Sequence, residues 1–411
     1  MDLLHPRCAG LDVHKETVVA CIRIAEGGEV DRIVRTFGTT TRRLIELSEF
    51  LSEHGVTQVA MEATGIYWRP VFHILEPEGF ELVLGNAAHI RNVPGRKSDT
   101  NDAMWLADLL AHGLIRSSFV PPQPVEQLRM LTRTRKQLVR EAAQHVNRIH
   151  KLLEDCNHKL TSVVTDVMGK TGRAIVDALC QGQTDPDKLA QLACGSLRAK
   201  KAALAEALRG CVTAHHRYLL ALHLELYDTV QRAVASLDTQ LEEQMRPFGQ
   251  AVDLLVTMPG IQRRVAEVVL SEVGSDMSRF PTVGHLISWA GLCPRMDESA
   301  GKKRNTRIRK GAPWLKTTLV QAAWAAVRVK DSYYRSLYNS IKNRCGIKQK
   351  AIIAVAASML TAVYYILKRG QPYKELGSEY RDRRDKVRTA SRLIRRVQAL
   401  GFQVQLVPQV A

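Results

Sequence analysis

Nowhere in the 411-residue chain do two cysteines stand two residues apart, and the eight present, at 8, 21, 156, 180, 194, 211, 293 and 345, show no Cys/His zinc spacing. A structural zinc module is excluded on that pattern, and a reducing, cytoplasmic setting is expected. The opening residues lack the basic and apolar regions of a signal peptide, because Leu11 to Ile24 contains Asp12, His14, Lys15, Glu16 and Arg23. Export is therefore not expected. No apolar run reaches the ~20 residues of a membrane span. Ala351 to Leu367, 17 residues broken by Ser358 and Thr361, reads as a buried helix, so no membrane partner is expected. Gly169-Lys170-Thr171 imitates the end of a P-loop, but Val164 stands where the first glycine is needed and no strand precedes it, which sets nucleotide hydrolysis aside. G-x-S-x-G and internal repeats are also missing.

Acidic side chains are scarce only in the later part of the chain. Lys and Arg total 59 against 41 Asp and Glu, a net +18. Residues 1–124 hold 12 basic and 16 acidic side chains, a net −4, which leaves +22 for residues 125–411. A surplus that large marks a polyanionic partner, nucleic acid first. The basic part would hold phosphates through counterion release, whereas the acidic part would repel them unless cations intervened.

From Ala9 the pattern reads as a strand (Gly10 to Ile24), a turn at Gly27-Gly28 and a second strand (Val30 to Phe37). A helix from Arg42 to His54, a short strand ending at Glu62, a helix from Trp68 to Glu78, a strand from Glu81 to Leu84 and a helix from near Asp99 to about Ala111 continue an α/β alternation. Pro121-Pro122-Gln123-Pro124 then breaks the chain. From Val125 to about Glu243 the pattern is helical, with Leu128, Leu131, Leu138, Ala142, Ile149 and Leu153 in one stripe, which predicts long paired helices. Arg129, Arg133, Lys136, Arg140, Arg148 and Lys151 accompany that stripe, as a solvated face or, with the overall charge, as nucleic-acid contacts. Met258-Pro259-Gly260-Ile261 resembles a helix-hairpin-helix turn. Residues 291–312 read as a polar loop backed by a helix with Leu315, Leu319, Ala323 and Ala326 on one side. After Gly370-Gln371-Pro372 comes a densely basic tail.

Asp12 sits in a strand, where a core-facing charge costs several kcal/mol unless it is paired or metal-bound. Glu62 follows another strand that the sheet could bring beside it. Asp99 and Asp102 share one face of a helix start, with N-terminal capping as the plainer explanation. Each acid alone is more often structural. Together the four suit two hard divalent cations, Mg²⁺ with Mn²⁺ as an alternative, which would orient a scissile phosphate. Ser299 precedes Lys302, Lys303, Arg304, Arg307, Arg309 and Lys310, a cluster suited to gripping phosphates around an attacking hydroxyl.

Gly10-Leu11-Asp12-Val13-His14-Lys15, Met61-Glu62-Ala63-Thr64-Gly65, Arg96 to Ala103, Trp289-Ala290-Gly291-Leu292-Cys293-Pro294, Glu298 to Lys302, Arg309-Lys310-Gly311 and Trp314-Leu315 together resemble the insertion-sequence one-ten family of transposases. The resemblance implies an α/β RNase H-like (RuvC-like) N-terminal domain over residues 1–120 with a DEDD metal site of Asp12, Glu62, Asp99 and Asp102. It further implies a long helical coiled-coil connection over 125–245, a mainly α-helical transposase domain over 246–370 and a basic tail over 371–411. Ser299 is implied as the nucleophile of a covalent phosphoserine intermediate, working with the carboxylates. Donor and target DNA, a structured bridge RNA and a homo-oligomer, dimer or tetramer, are the implied partners, in a bacterial cytoplasm at the nucleoid. One departure stands out: Ala300 precedes Gly301, where some relatives have glycine directly after the serine. The competing expectations are a RuvC-like two-metal nuclease without serine chemistry and a non-catalytic architectural protein with salt-bridged acids.

Overall fold

The computed structural model describes residues 3–91, 93, 101–294, 297–299, 301–305, 307–308, 311–384 and 386–404, and the chain divides into two compact units, Met1–Val120 and Pro121–Ala411. The first is built on a five-stranded mixed sheet of β1 (Arg7–Val13), β2 (Thr17–Glu26), β3 (Glu29–Gly38), β4 (Gln58–Glu62) and β5 (Glu81–Gly85), in the order β3-β2-β1-β4-β5. What reads in sequence as one strand from Gly10 to Ile24 is an antiparallel pair. His14, Lys15 and Glu16 form the turn, closed by the His14 N–H donating to the Thr17 carbonyl at 2.9 Å. Asp12 thus lies next to the end of a strand rather than mid-strand. β1, β4 and β5 run parallel, and β2 and β3 extend the sheet antiparallel.

Alternation along β1 decides what covers each face. Ala9 and Leu11 join Val59 and Met61 of β4 in a core with α1 (Thr41–Glu53) and α2 (Trp68–Leu75), where Leu44, Leu47, Leu51, Val71 and Leu75 are buried. Cys8 and Ala60 face the other way, onto Leu110 and Ala111 at the far end of α4 (Asp102–Ala111), which follows α3 (Ala87–Arg91). Gly10 is glycine because α4 lies on it: a Cβ there would fall 2.2 Å from the Ala103 carbonyl oxygen and 2.5 Å from the Ala107 nitrogen. Asp108 anchors the same helix to the sheet through Arg23 at 3.0 Å and Arg32 at 2.9 Å. The outer strand β3 is largely exposed and charged, which guards an open sheet edge.

Among its described residues, the second unit forms helices and one hairpin. α5 (Gln123–Asp155, 33 residues) and α10 (Ala214–Met245, 32 residues) pack antiparallel, joined by Arg135–Asp238 at 2.6 Å, His145–His223 at 3.3 Å and Asp155–His216 at 3.0 Å. Between them, α6 (Leu160–Val163), α7 (Lys170–Cys180), α8 (Pro186–Gln191) and α9 (Lys201–Ala207) bury Leu160, Ile175, Val176, Leu179, Leu189 and Leu204 against Ile149, Leu153, Leu220 and Leu224. The remainder comprises α11 (Gly249–Val256), α12 (Arg263–Val273), α13 (Val283–Trp289), α14 (Pro313–Ala326), α15 (Tyr333–Cys345), α16 (Lys348–Arg369), α17 (Tyr380–Arg384) and α18 (Lys386–Gln398). Among the described residues α16 alone is long and apolar enough to cross a membrane, and Ile352, Val355, Met359, Leu360 and Val363 along it are buried against neighbouring helices.

The basic stripe on α5 is partly internal, so neither a solvated face nor nucleic-acid contact describes all of it. Arg129 is buried and donates to the Ser271 carbonyl, while Arg133 forks onto Glu272, both hydrogen bonds 2.8 Å long. Glu272 has no solvent exposure, so these cations are needed to hold its charge inside. The turn between α11 and α12 is also turned inward. Gly260, at φ +80°, packs so closely on α14 that a Cβ would meet the Ala322 oxygen at 2.4 Å.

Candidate functional site

The register of β1 and β4 brings two of the expected acids together. Leu11 pairs with Met61, and the next residue of each parallel strand is the carboxylate, Asp12 and Glu62. Both therefore fall on the α4 face, at the carboxyl ends of adjacent parallel strands, the edge where open α/β sheets bind ligands. Because Cys8 meets Leu110 and Ala111 while Gly10 meets Ala103, α4 runs antiparallel to β1 and its first residue, Asp102, arrives at the same corner. The cap of α4 is Asn101, whose side chain accepts from the Ala103 N–H at 2.9 Å. Capping thus does not account for Asp102, which occupies the first turn, where the helix dipole favours an anion. Asp99 lies outside the described residues.

Burial, above all, pushes the half-buried Asp12 carboxyl above the usual Asp range. His14 pulls it back, and the charges of Asp102 and Glu62 push it further up. His14 Nε2 sits 3.1 Å from Asp12 Oδ2. On Glu62, the Thr64 hydroxyl donates to Oε1 and Arg91 approaches the same oxygen at 3.9 Å. His14, Thr64 and Arg91 were not among the candidate site residues expected from the sequence. For the first two, proximity within two residues of an acid was the available signal, whereas Arg91 is brought in by the fold alone.

Among the described residues no three His, Cys, Asp or Glu side chains stand at ion-clasping separation. Asp102 and Glu62 are instead each within electrostatic reach of Asp12. An all-oxygen set of this kind fits Mg²⁺, which keeps several waters and takes one or two carboxylates per ion. A cation there would also offset the charges of Asp102 and Glu62, which add to the effect of burial on Asp12.

The region expected to be a loop around Ser299 holds a short hairpin, β6 (Asp297–Ser299) and β7 (Lys302–Asn305). Ser299 ends β6 opposite Lys302, and Gly301 between them takes φ +73°. The hairpin stands on a close-packed base: Pro294 bridges Ile308, Gly311 lies where a Cβ would be 2.4 Å from the Gly291 nitrogen, and the Ala312 N–H donates to the Trp289 carbonyl at 3.3 Å. The Trp289 to Pro294 and Gly311 to Leu315 segments are neighbours for this reason. Lys302 and Arg307 are exposed. Arg309 and Lys310, and the side chains of Ser299, Lys303 and Arg304, lie outside the described residues.

Two family profiles match in the same order as these elements. One, described as a transposase and carrying the DEDD label of IS110, covers residues 9–158, and the other, described as "Transposase IS116/IS110/IS902 family", covers residues 252–339. The transposase for insertion sequence element IS1111A of Coxiella burnetii is 26% identical over 377 residues, 89% of this chain and 90% of its own length. An insertion element IS110 protein of Streptomyces coelicolor is 26% identical over 302 residues, 68% of this chain and 73% of its own. The pilin gene-inverting protein of Moraxella bovis is 27% identical over 122 residues, 29% of this chain and 38% of its own. On two profiles that span both units, in order, and on relatives that are themselves insertion-sequence transposases, the chain belongs to the IS110 family and is a transposase.

Proposed function

We propose that this transposase cuts and rejoins donor and target DNA through a phosphoserine intermediate at Ser299, with Mg²⁺ bound by Asp12, Glu62, Asp99 and Asp102 of an RNase H-like (RuvC-like) unit. The observation that carries the metal half is the convergence of Asp12, Glu62 and Asp102 at one corner of the sheet. The serine half is supported by a hairpin that ends a strand on Ser299 beside exposed Lys302 and Arg307. Bound metal would neutralise and orient the scissile phosphate. The Ser299 oxygen forms a bond to phosphorus, a phosphorus–oxygen bond of the strand breaks, and the serine proton ends on the departing sugar oxygen. Rejoining runs the same exchange backwards. Within the second unit, residues 125–245 serve as a coiled-coil connection, 246–370 as the serine-bearing transposase domain and 371–411 as a basic tail, and the chain works as a dimer or tetramer. A structured bridge RNA selects the sites, in keeping with the +22 charge of residues 125–411. The relative named for inverting a pilin gene favours a reaction that rearranges DNA as well as cutting it.

The test incubates purified protein with Mg²⁺, donor and target DNA and transcript from the flanking sequence, comparing wild type with Ser299→Ala and Asp12→Asn. A DNA-linked protein species formed by wild type alone supports the proposal. Cleavage that survives Ser299→Ala but not Asp12→Asn would make the protein a two-metal nuclease, and activity in all three would remove both assignments.

A further inference from the structure

Arg133, Lys136 and Arg140 all direct positive charge at one indole. The guanidinium carbons of Arg133 and Arg140 lie 5.8 and 5.4 Å from the centroid of Trp314, and Lys136 Nζ lies 5.8 Å from it. Arg133 is neutralised by Glu272. Among the described residues neither Lys136 nor Arg140 pairs with a carboxylate; the Lys136 ammonium donates to the Thr318 hydroxyl at 3.4 Å. Burial and then the Arg140 charge push Lys136 below the usual lysine range, and Glu272 opposes them less strongly. Like charges four residues apart on a helix destabilise it. The face of an aromatic ring offsets part of that cost but supplies no countercharge.

Trp314 is the second residue of α14, two residues after Ala312, which is bonded to Trp289 at the base of the Ser299 hairpin. We infer that Lys136, Arg140 and Trp314 form a phosphate-binding site for the DNA strand on which the Ser299 hairpin acts. Two cations at one ring with no carboxylate paired to either among the described residues match a phosphodiester, with the indole edge against sugar or base. The inference deepens the reading above and rests on it for the identity of the strand. DNA is favoured over RNA because the site adjoins the hairpin whose substrate is DNA.

The experiment uses the full chain without divalent ions, so that binding is read apart from cleavage. Duplex carrying an insertion end is titrated by fluorescence anisotropy over a salt series for wild type, Arg140→Gln and the Lys136→Gln/Arg140→Gln pair, with thermal unfolding of each. Transcript RNA is run in parallel. The slope of log K against log salt should become shallower by roughly 1 for each residue removed, with weaker DNA binding at fixed salt. Unfolding temperature should hold or rise as the repulsion is relieved. An unchanged slope with a lower unfolding temperature would assign the cluster to internal packing and overturn the inference. A slope change on RNA alone would overturn it as well. Arg140→Gln, at an exposed helical position, keeps the test valid should the double variant fold poorly. Whether wild type forms the covalent adduct is scored separately, so loss of the serine reading is distinguishable from loss of this one.

Discussion

Replacing Gly10 by alanine tests how the carboxylates are assembled. The added Cβ would sit 2.2 Å from the Ala103 oxygen, 2.5 Å from the Ala107 nitrogen and 2.8 Å from the Leu106 Cβ, against ordinary contact from 3.4 Å. The first two neighbours are backbone atoms, so no rotamer change makes room, and α4 must retreat from β1 by about 1 Å. Overpacking of this kind costs roughly 1–3 kcal/mol. For a unit of this size that lowers its unfolding temperature by roughly 4–12 °C. Asp102 is the residue before Ala103 and moves with it, and a reactive-group misplacement of about 1 Å costs on the order of 100-fold in rate. Gly10→Ala should therefore lose strand cleavage well beyond its loss of folded protein, whereas Gly249→Ala, where an added Cβ meets nothing within 4 Å, should change neither. Differential scanning fluorimetry and single-turnover cleavage read the two effects. Wild-type unfolding together with wild-type cleavage in Gly10→Ala would refute the claim that this contact sets the position of Asp102.

Glu272→Gln leaves the buried Arg129 and the partly buried Arg133 facing a neutral amide and should destabilise the second unit by roughly 3–5 kcal/mol in urea unfolding, with wild-type stability as the contrary result. Asp238 is held below the usual Asp range by hydrogen bonds from Arg135, with the charges of Arg264 and Arg135 adding to the effect. Its folded pKa is lower than its unfolded one, so its contribution is present above about pH 3.8 and disappears as pH falls through the folded value. Asp238→Asn should lower stability at neutral pH and flatten the acid limb of the unfolding-temperature profile; a parallel downward shift at every pH would contradict that linkage.

The short strands ending at Glu62 and near Leu84 and the Pro121-Pro122 break were legible because apolar runs and proline act locally. So was the burial of Leu315, Leu319 and Ala323, through helical spacing. The turn at His14 was not, since a run of β-forming residues on both sides outweighs three polar residues. The fate of Arg129 and Arg133 was also hidden: a cation on a helix face reads as solvated until a carboxylate 139 residues away in sequence is brought against it. The meeting of Asp12 with Glu62 followed from strand order. The arrival of Asp102 depended on the direction of α4 across the sheet, which a glycine in the motif permits but does not announce.

α5 has a metrical consequence. One unbroken helix of 33 residues, about 50 Å long, runs from the Glu272 anchorage to the small helical cluster around Leu153, and α10 returns beside it. Such a pair works as a keyed shaft: residue count sets both the reach of the cluster and the compass direction it faces. One residue added to each helix would swing it by about 100°, while seven would extend it by about 10 Å and restore its heading to within about 20°. Arms of this kind can change length in heptads without turning what they carry away from its partner.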